Sequence, residues 1–159
     1  TAALLRGRLL LATSLMDMQQ GKTEQANEQT KRADALMQEG AKWLERALAK
    51  PIENATSGEK NARAWALVRA AMLAEELDDI QKMKDFAEAS LALFEVGAEH
   101  RGIAIAKHWI GRLFIRLDQL DRAQSIFQES LAEFRRLEDP YWERLNNYFI
   151  TMVLVRKGE

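Results

Sequence analysis

The chain has 159 residues, of which 47% are hydrophobic, and this is enough apolar material for one sizeable helical domain. Its formal net charge of -1 argues against a general nucleic-acid-binding protein, and the absence of cysteine excludes disulfides, thiolate metal sites and cysteine nucleophiles. No apolar run reaches the roughly 18 residues of a membrane-spanning helix, so we expect a cytoplasmic protein with no membrane partner.

Helical periodicity and turn signals predict seven helices. They cover residues 2–20, 24–49, 57–77, 80–97, 100–117, 119–137 and 140–157. Gly21 suits a left-handed residue after the first helix, and Thr23 suits the cap of the second helix, which Pro51 ends. Thr56 and Glu59 have the spacing of a capping box. The predicted fold class is therefore all-α, an array of antiparallel helix pairs joined by short turns.

The sequence repeats itself at a distance of forty residues. When residues 63–96 are aligned with residues 103–136, nine positions are identical, namely 64/104, 66/106, 73/113, 77/117, 78/118, 90/130, 91/131, 92/132 and 94/134. Such a period marks a stacked helical array, in which each unit buries its apolar face against its neighbours. We predict a single domain over residues 1–159. Its units are residues 2–50, 57–97 and 100–137, followed by a half unit at 140–157.

Both ends of the chain favour a fragment of a longer protein. The chain begins inside a helical pattern, and the last helix, residues 140–157, has no predicted partner helix. The alternative is that this helix is a natural cap of the array.

The second full unit carries small and aromatic residues at regular places. Gly111 stands near the middle of its first helix, and Ala123, Phe127 and Ser130 follow in its second helix. This pattern resembles the tetratricopeptide repeat, although the period is forty instead of 34 residues, and Lys107 stands where that family has a bulky residue. The longer period is most similar to the repeats of large bacterial signalling and transcriptional regulators. The resemblance implies a superhelix of helix pairs whose first helices line a concave groove for proteins or peptides.

The resemblance also assigns groove positions to the first helix of each unit. They are Trp65, Val68, Met72, Glu75 and Glu76, then Ile105, His108, Arg112 and Arg116, then Leu145, Tyr148 and Met152. His108, Arg112 and Arg116 follow at i, i+4 and i+8, so they form one stripe that suits a partner's carboxylates. The alternatives are a solvated face or ion pairs with Glu75 and Glu76. The apolar positions suit a peptide ligand, or they belong to the core.

Catalytic chemistry has little support in the sequence. The chain has two histidines and no cysteine, and its carboxylates scatter along polar helix faces. The segment Gly21-Lys22-Thr23 imitates the end of a phosphate-binding loop, but Met16 stands where the leading glycine of that motif would be. We therefore expect no enzyme activity, no metal and no cofactor.

Three functions remain open at this point. The first is a protein- or peptide-binding scaffold in a larger bacterial regulatory protein, with a partner that carries acidic groups. The second is a sensor domain that binds a small-molecule effector of a transcriptional regulator. The third is an architectural spacer that forms homo-oligomers. None of the three involves nucleic acid bound directly by this chain.

Overall fold

A computed structural model describes residues 2–49 and 52–158, without the side chains of residues 2–5 and 8. In these ranges the regular structure consists of seven helices and no strand. The helices are α1 (Ala2–Gln19), α2 (Thr23–Leu48), α3 (Ser57–Glu76), α4 (Ile80–Val96), α5 (His100–Arg116), α6 (Leu120–Arg136) and α7 (Pro140–Lys157). The predicted all-α array of helix pairs is confirmed, with each predicted boundary within one residue. Pro51 lies outside the described residues.

The signals at the helix ends are mostly as predicted. Gly21 has a positive φ of 76°, as a left-handed stop requires. Thr56 and Glu59 form the predicted capping box, in which the Thr56 amide donates to Glu59 Oε2 at 2.8 Å and the Glu59 amide donates to Thr56 Oγ1 at 3.3 Å. The prediction for Thr23 is wrong: Lys22 is the N-cap of α2 and makes no side-chain capping bond.

The chain divides into two compact units, residues 1–50 and 51–159. In the first unit, α1 packs on α2 through small residues. Ser14 Oγ donates to the carbonyl of Ala26 at 2.8 Å, and Ala26 and Ala33 are fully buried. Gly7 lies so close to α2 that an added Cβ would be 3.2 Å from the carbonyl oxygen of Ala33. The large apolar side chain of Trp43 is 68% exposed.

The second unit alternates two kinds of helix. We name α3, α5 and α7 the A helices, and α4 and α6 the B helices. Each B helix packs between two successive A helices, and α3 also touches α5 directly. The core between them contains large side chains with almost no exposed surface, among them Met83, Phe94, Leu113, Phe127 and Phe134. This arrangement brings successive A helices side by side, which matters for the site described below.

The turns of the second unit follow one pattern at a spacing of twenty residues. The residues with positive φ are Asp78, Ala98, Asp118 and Glu138, and Gly158 continues the series. In each of the four internal turns a backbone amide returns to a carbonyl five residues earlier, as in Asp79 N to Ala74 O at 2.8 Å. These are the hydrogen bonds of a Schellman motif. Five consecutive helices, α3 to α7, therefore end with a left-handed residue, and of these residues only Gly158 has no Cβ.

Gly111 marks the closest crossing of α5 and α6. A Cβ built on it would lie 2.7 Å from two ring atoms of Phe127. One turn further along the same contact, Ser130 Oγ donates to the carbonyl of Ala104 at 2.9 Å. The small residues predicted at 111 and 130 therefore allow two helices to approach closely, as the repeat pattern requires. No helix in the described part of the chain has both the length and the apolar character needed to cross a membrane.

Candidate functional site

The three A helices converge on the side chain of Arg112. Its Nη2 lies 2.7 Å from Glu75 Oε2, and its Nε donates to Glu75 Oε1 at 3.0 Å. Its Cζ lies 4.6 Å from the ring centroid of Trp109 and 5.0 Å from that of Phe149. Glu75 belongs to α3, Trp109 to α5 and Phe149 to α7. We call these four residues the Arg112 site.

The electrostatics of the Arg112 site combine burial with a matched charge. Arg112 is 29% exposed at its side chain and Glu75 is 13% exposed. Burial raises the pKa of Glu75, and the adjacent Arg112 opposes that shift. A bidentate guanidinium–carboxylate pair fixes both groups in one geometry. The two aromatic rings add a cation–π attraction to the guanidinium. The site thus fixes the Arg112 guanidinium in a defined orientation and leaves part of the Arg112 side chain open to solvent.

Arg116 is paired in a different way. It forms an ion pair with Asp78, the left-handed residue after α3. One unit later, Arg156 Nη2 lies 2.7 Å from Asp118 Oδ1 in the same arrangement. These pairs are largely exposed, so each contributes little to stability. The predicted alternative of internal ion pairs is therefore confirmed for Arg112 with Glu75, and Arg116 forms an ion pair with Asp78.

His108 does not lie on the surface with Arg112 and Arg116. Its side chain has no exposed area, and its Nδ1 lies 3.2 Å from Asn146 Oδ1 on α7. Because the Asn146 amide group donates to the carbonyl of Trp142 at 2.8 Å, Asn146 Oδ1 is the acceptor and His108 Nδ1 is the donor. Burial lowers the pKa of His108 to about 4. The imidazole is therefore neutral at physiological pH and does not extend a cationic strip.

The surroundings of His108 explain why it is buried. Rings of four residues lie with centroids 5.1 to 5.7 Å from its own ring, those of Trp109, Phe127, Trp142 and Phe149. Two of these rings come from α7, which covers this part of α5. Among the described residues, His108 Nε2 and Trp109 Nε1 are buried without a hydrogen-bond partner.

The other predicted groove residues divide by exposure. Val68 and Ile105 are each 3% exposed and belong to the core. The partly or largely exposed residues are Trp65, Met72, Glu76, Leu145, Tyr148 and Met152. Residues at one register position thus differ between helices: Val68 and His108 are buried, whereas Tyr148 is 62% exposed. The structure brings Glu75 and Arg112 into contact, and it leaves Tyr148 open.

Trp109 and Phe149, which complete the Arg112 site, are missing from the predicted groove positions. They stand at the same position of two successive units, forty residues apart, so the repeat contained the signal. The sequence shows an aromatic residue at both places, but only the packed helices show that Arg112 contacts both rings. In the described ranges no group of three or more histidine, aspartate or glutamate side chains is arranged to hold a metal ion.

No protein-family model, curated protein or solved structure matches this chain. The Arg112 site is therefore interpreted from its own chemistry.

Proposed function

We propose that this chain is a non-catalytic protein- or peptide-binding module, a tetratricopeptide-like part of a larger bacterial regulatory protein. The helix-pair array and the close crossing at Gly111 support the relationship to that repeat family. The observation that carries the proposal is the Arg112 guanidinium, which lies over two aromatic rings and is still partly exposed. An oriented, partly desolvated arginine is suited to bind an acidic group of a partner.

The surface beside Arg112 suits the rest of such a partner. In the forty-residue register, Met72 and Met152 take the place of Arg112 on the neighbouring A helices, and both are partly exposed. Methionine side chains adapt to apolar ligands of irregular shape. Tyr148, 62% exposed, adds an aromatic ring with a hydrogen-bonding hydroxyl. The partner that fits best is a peptide segment with an acidic group next to apolar side chains.

Selection from a phage-displayed library of random dodecapeptides tests this proposal. The variant Arg112→Gln removes the cation and keeps a polar, uncharged side chain. Arg122→Gln is the matched control, because Arg122 lies on α6 and its Cζ is also stacked over an aromatic ring, 4.2 Å from the centroid of Phe114. We expect acidic peptides that bind the wild type and the control equally and bind Arg112→Gln at least tenfold more weakly, about 1.4 kcal/mol.

Selected peptides that bind Arg112→Gln as tightly as the wild type would refute the proposed site. If selection yields no peptide, two further measurements separate the remaining functions. A concentration-dependent increase of mass in light scattering would favour the homo-oligomeric spacer. A rise of the melting temperature with members of a metabolite library would favour the small-molecule sensor.

A further inference from the structure

Glu75 occupies the part of Arg112 that an acidic ligand would use. Its two oxygens take the Nε and Nη2 donors of Arg112 at 3.0 and 2.7 Å. The guanidinium also lies over the rings of Trp109 and Phe149. A ligand carboxylate that takes this same side-on edge, Nε with Nη2, therefore needs the place that Glu75 fills. This inference rests on the proposed function of the Arg112 site.

We infer that the ligand's acidic group takes the Nε/Nη2 edge of Arg112, so that Glu75 is a built-in competitor for it. The ligand then binds this edge only when Glu75 moves off the guanidinium and takes up a proton from solvent. The occupant is the carboxylate of an acidic peptide. In the free protein, the Glu75 carboxylate neutralises the guanidinium. In the complex, the ligand carboxylate does so, and Glu75 becomes a neutral carboxylic acid.

The proton uptake follows from the position of Glu75. Its side chain is 13% exposed, and burial already raises its pKa even with Arg112 beside it. The charged groups that act on Glu75 are Arg112 and Arg116 from α5 and Glu76 from its own helix. The buried residues of α4, the other helix packed on α3, are uncharged. A second carboxylate on Arg112 cancels its attraction for Glu75 and adds repulsion, and both changes favour the protonated form.

Ligand binding is therefore tighter at lower pH. If one proton is taken up for each ligand bound, the dissociation constant rises up to about tenfold for each unit of pH increase. This dependence holds between the pKa of Glu75 in the free protein and its higher pKa in the complex. It disappears when residue 75 cannot titrate.

The test uses fluorescein-labelled hexaglutamate as the probe and fluorescence anisotropy as the readout, over mildly acidic to mildly alkaline pH at constant ionic strength. Glu75→Gln keeps the shape of the side chain and removes its charge. Glu76→Gln is the matched control, because Glu76 is the next residue in the chain, carries the same charge and is exposed. Circular dichroism establishes that each variant is folded.

We expect Glu75→Gln to bind the probe roughly tenfold more tightly than the wild type near neutral pH, since a charged hydrogen-bonding competitor is lost. Its affinity should also lose the pH dependence of the wild type, and Glu76→Gln should keep that dependence. If the two substitutions changed the affinity for the probe equally, the loss of a negative surface charge would explain the effect, and the inference would be overturned. A pH dependence that persists in Glu75→Gln would overturn it too, as would a probe that binds neither protein.

The failure of this inference is distinguishable from failure of the proposed function. Selected peptides that require Arg112 but bind Glu75→Gln no more tightly than the wild type would support the binding site and refute only the competition by Glu75. Selected peptides whose affinity does not depend on Arg112 would refute the proposed binding site itself.

Discussion

Replacing Gly111 by alanine is a sensitive test of the packing between α5 and α6. The new methyl group would lie 2.7 Å from two ring atoms of Phe127, which has no exposed surface and is stacked on Phe149 at 5.3 Å. Overpacking of this kind costs about 1–3 kcal/mol, and the ring has little room to move. A glycine-to-alanine change inside a helix contributes about 1 kcal/mol in the opposite direction. Because the Phe127 ring cannot easily move, the upper part of this range applies, about 2–3 kcal/mol, so we expect a net loss of about 1–2 kcal/mol in unfolding free energy.

Urea denaturation followed by tryptophan fluorescence measures this loss. A Trp43→Phe background restricts the signal to residues 51–159, which contain the other three tryptophans. Gly58→Ala is the control, because a Cβ at that glycine meets nothing within 4 Å and the change should stabilise α3 by up to about 1 kcal/mol.

The matching rescue is Gly111→Ala combined with Phe127→Leu, since a smaller side chain leaves space for the methyl group. The double variant should be more stable than the sum of the two single changes predicts, by about 1 kcal/mol. A Gly111→Ala protein as stable as its parent would refute the close crossing described for α5 and α6.

Three further predictions concern the turns, an ion pair and the buried histidine. Ala98→Gly should raise the unfolding free energy by about 0.5–1 kcal/mol, because Ala98 has a φ of 49°; an unchanged urea midpoint would contradict this. Asp118→Asn should change it by less than about 1 kcal/mol, because the pair with Arg156 is exposed; a larger loss in the same assay would show that the pair matters. His108 has a pKa of about 4 in the folded protein against 6.5 for the free side chain, so between these values only the unfolded state binds its proton. Stability should therefore fall by about 1.4 kcal/mol for each unit of pH decrease in that window. His108→Gln should remove this contribution from urea midpoints measured across the window, and an undiminished slope would assign it to other groups.

The fold could be predicted almost completely from the sequence, because local signals and the repeat agree. Helical periodicity and the capping box at Thr56 gave boundaries within one residue. The left-handed turns were predictable only in part. Asp78 and Asp118 belong to residue types that tolerate a positive φ, but Ala98 and Glu138 carry no such signal. Their conformation follows from the helix packing on either side, which overrides the local preference.

The candidate site could be predicted less well, for a physical reason. The repeat assigns one register to all A helices, but burial depends on which helix lies next to each of them. Val68 and His108 are buried, and α7 covers His108, whereas Tyr148 at the same register position of α7 is exposed. The contact of Arg112 with Glu75 was among the predicted alternatives. The aromatic rings of Trp109 and Phe149 around it required the packed structure.

Because the turns recur every twenty residues, the number of helices could change without disturbing the packing, while the side chains on the A helices would change. A deletion of residues 79–118 would join Asp78 directly to Gln119, the residue before α6, and would leave one left-handed turn at the junction. Residue 156 would then take the place of residue 116 beside Asp78, an arginine for an arginine, while Met152 would take the place of Arg112. An evolving gene could thus gain or lose a forty-residue unit and keep the helix packing, and the unit that remains would decide which side chains the A helices present.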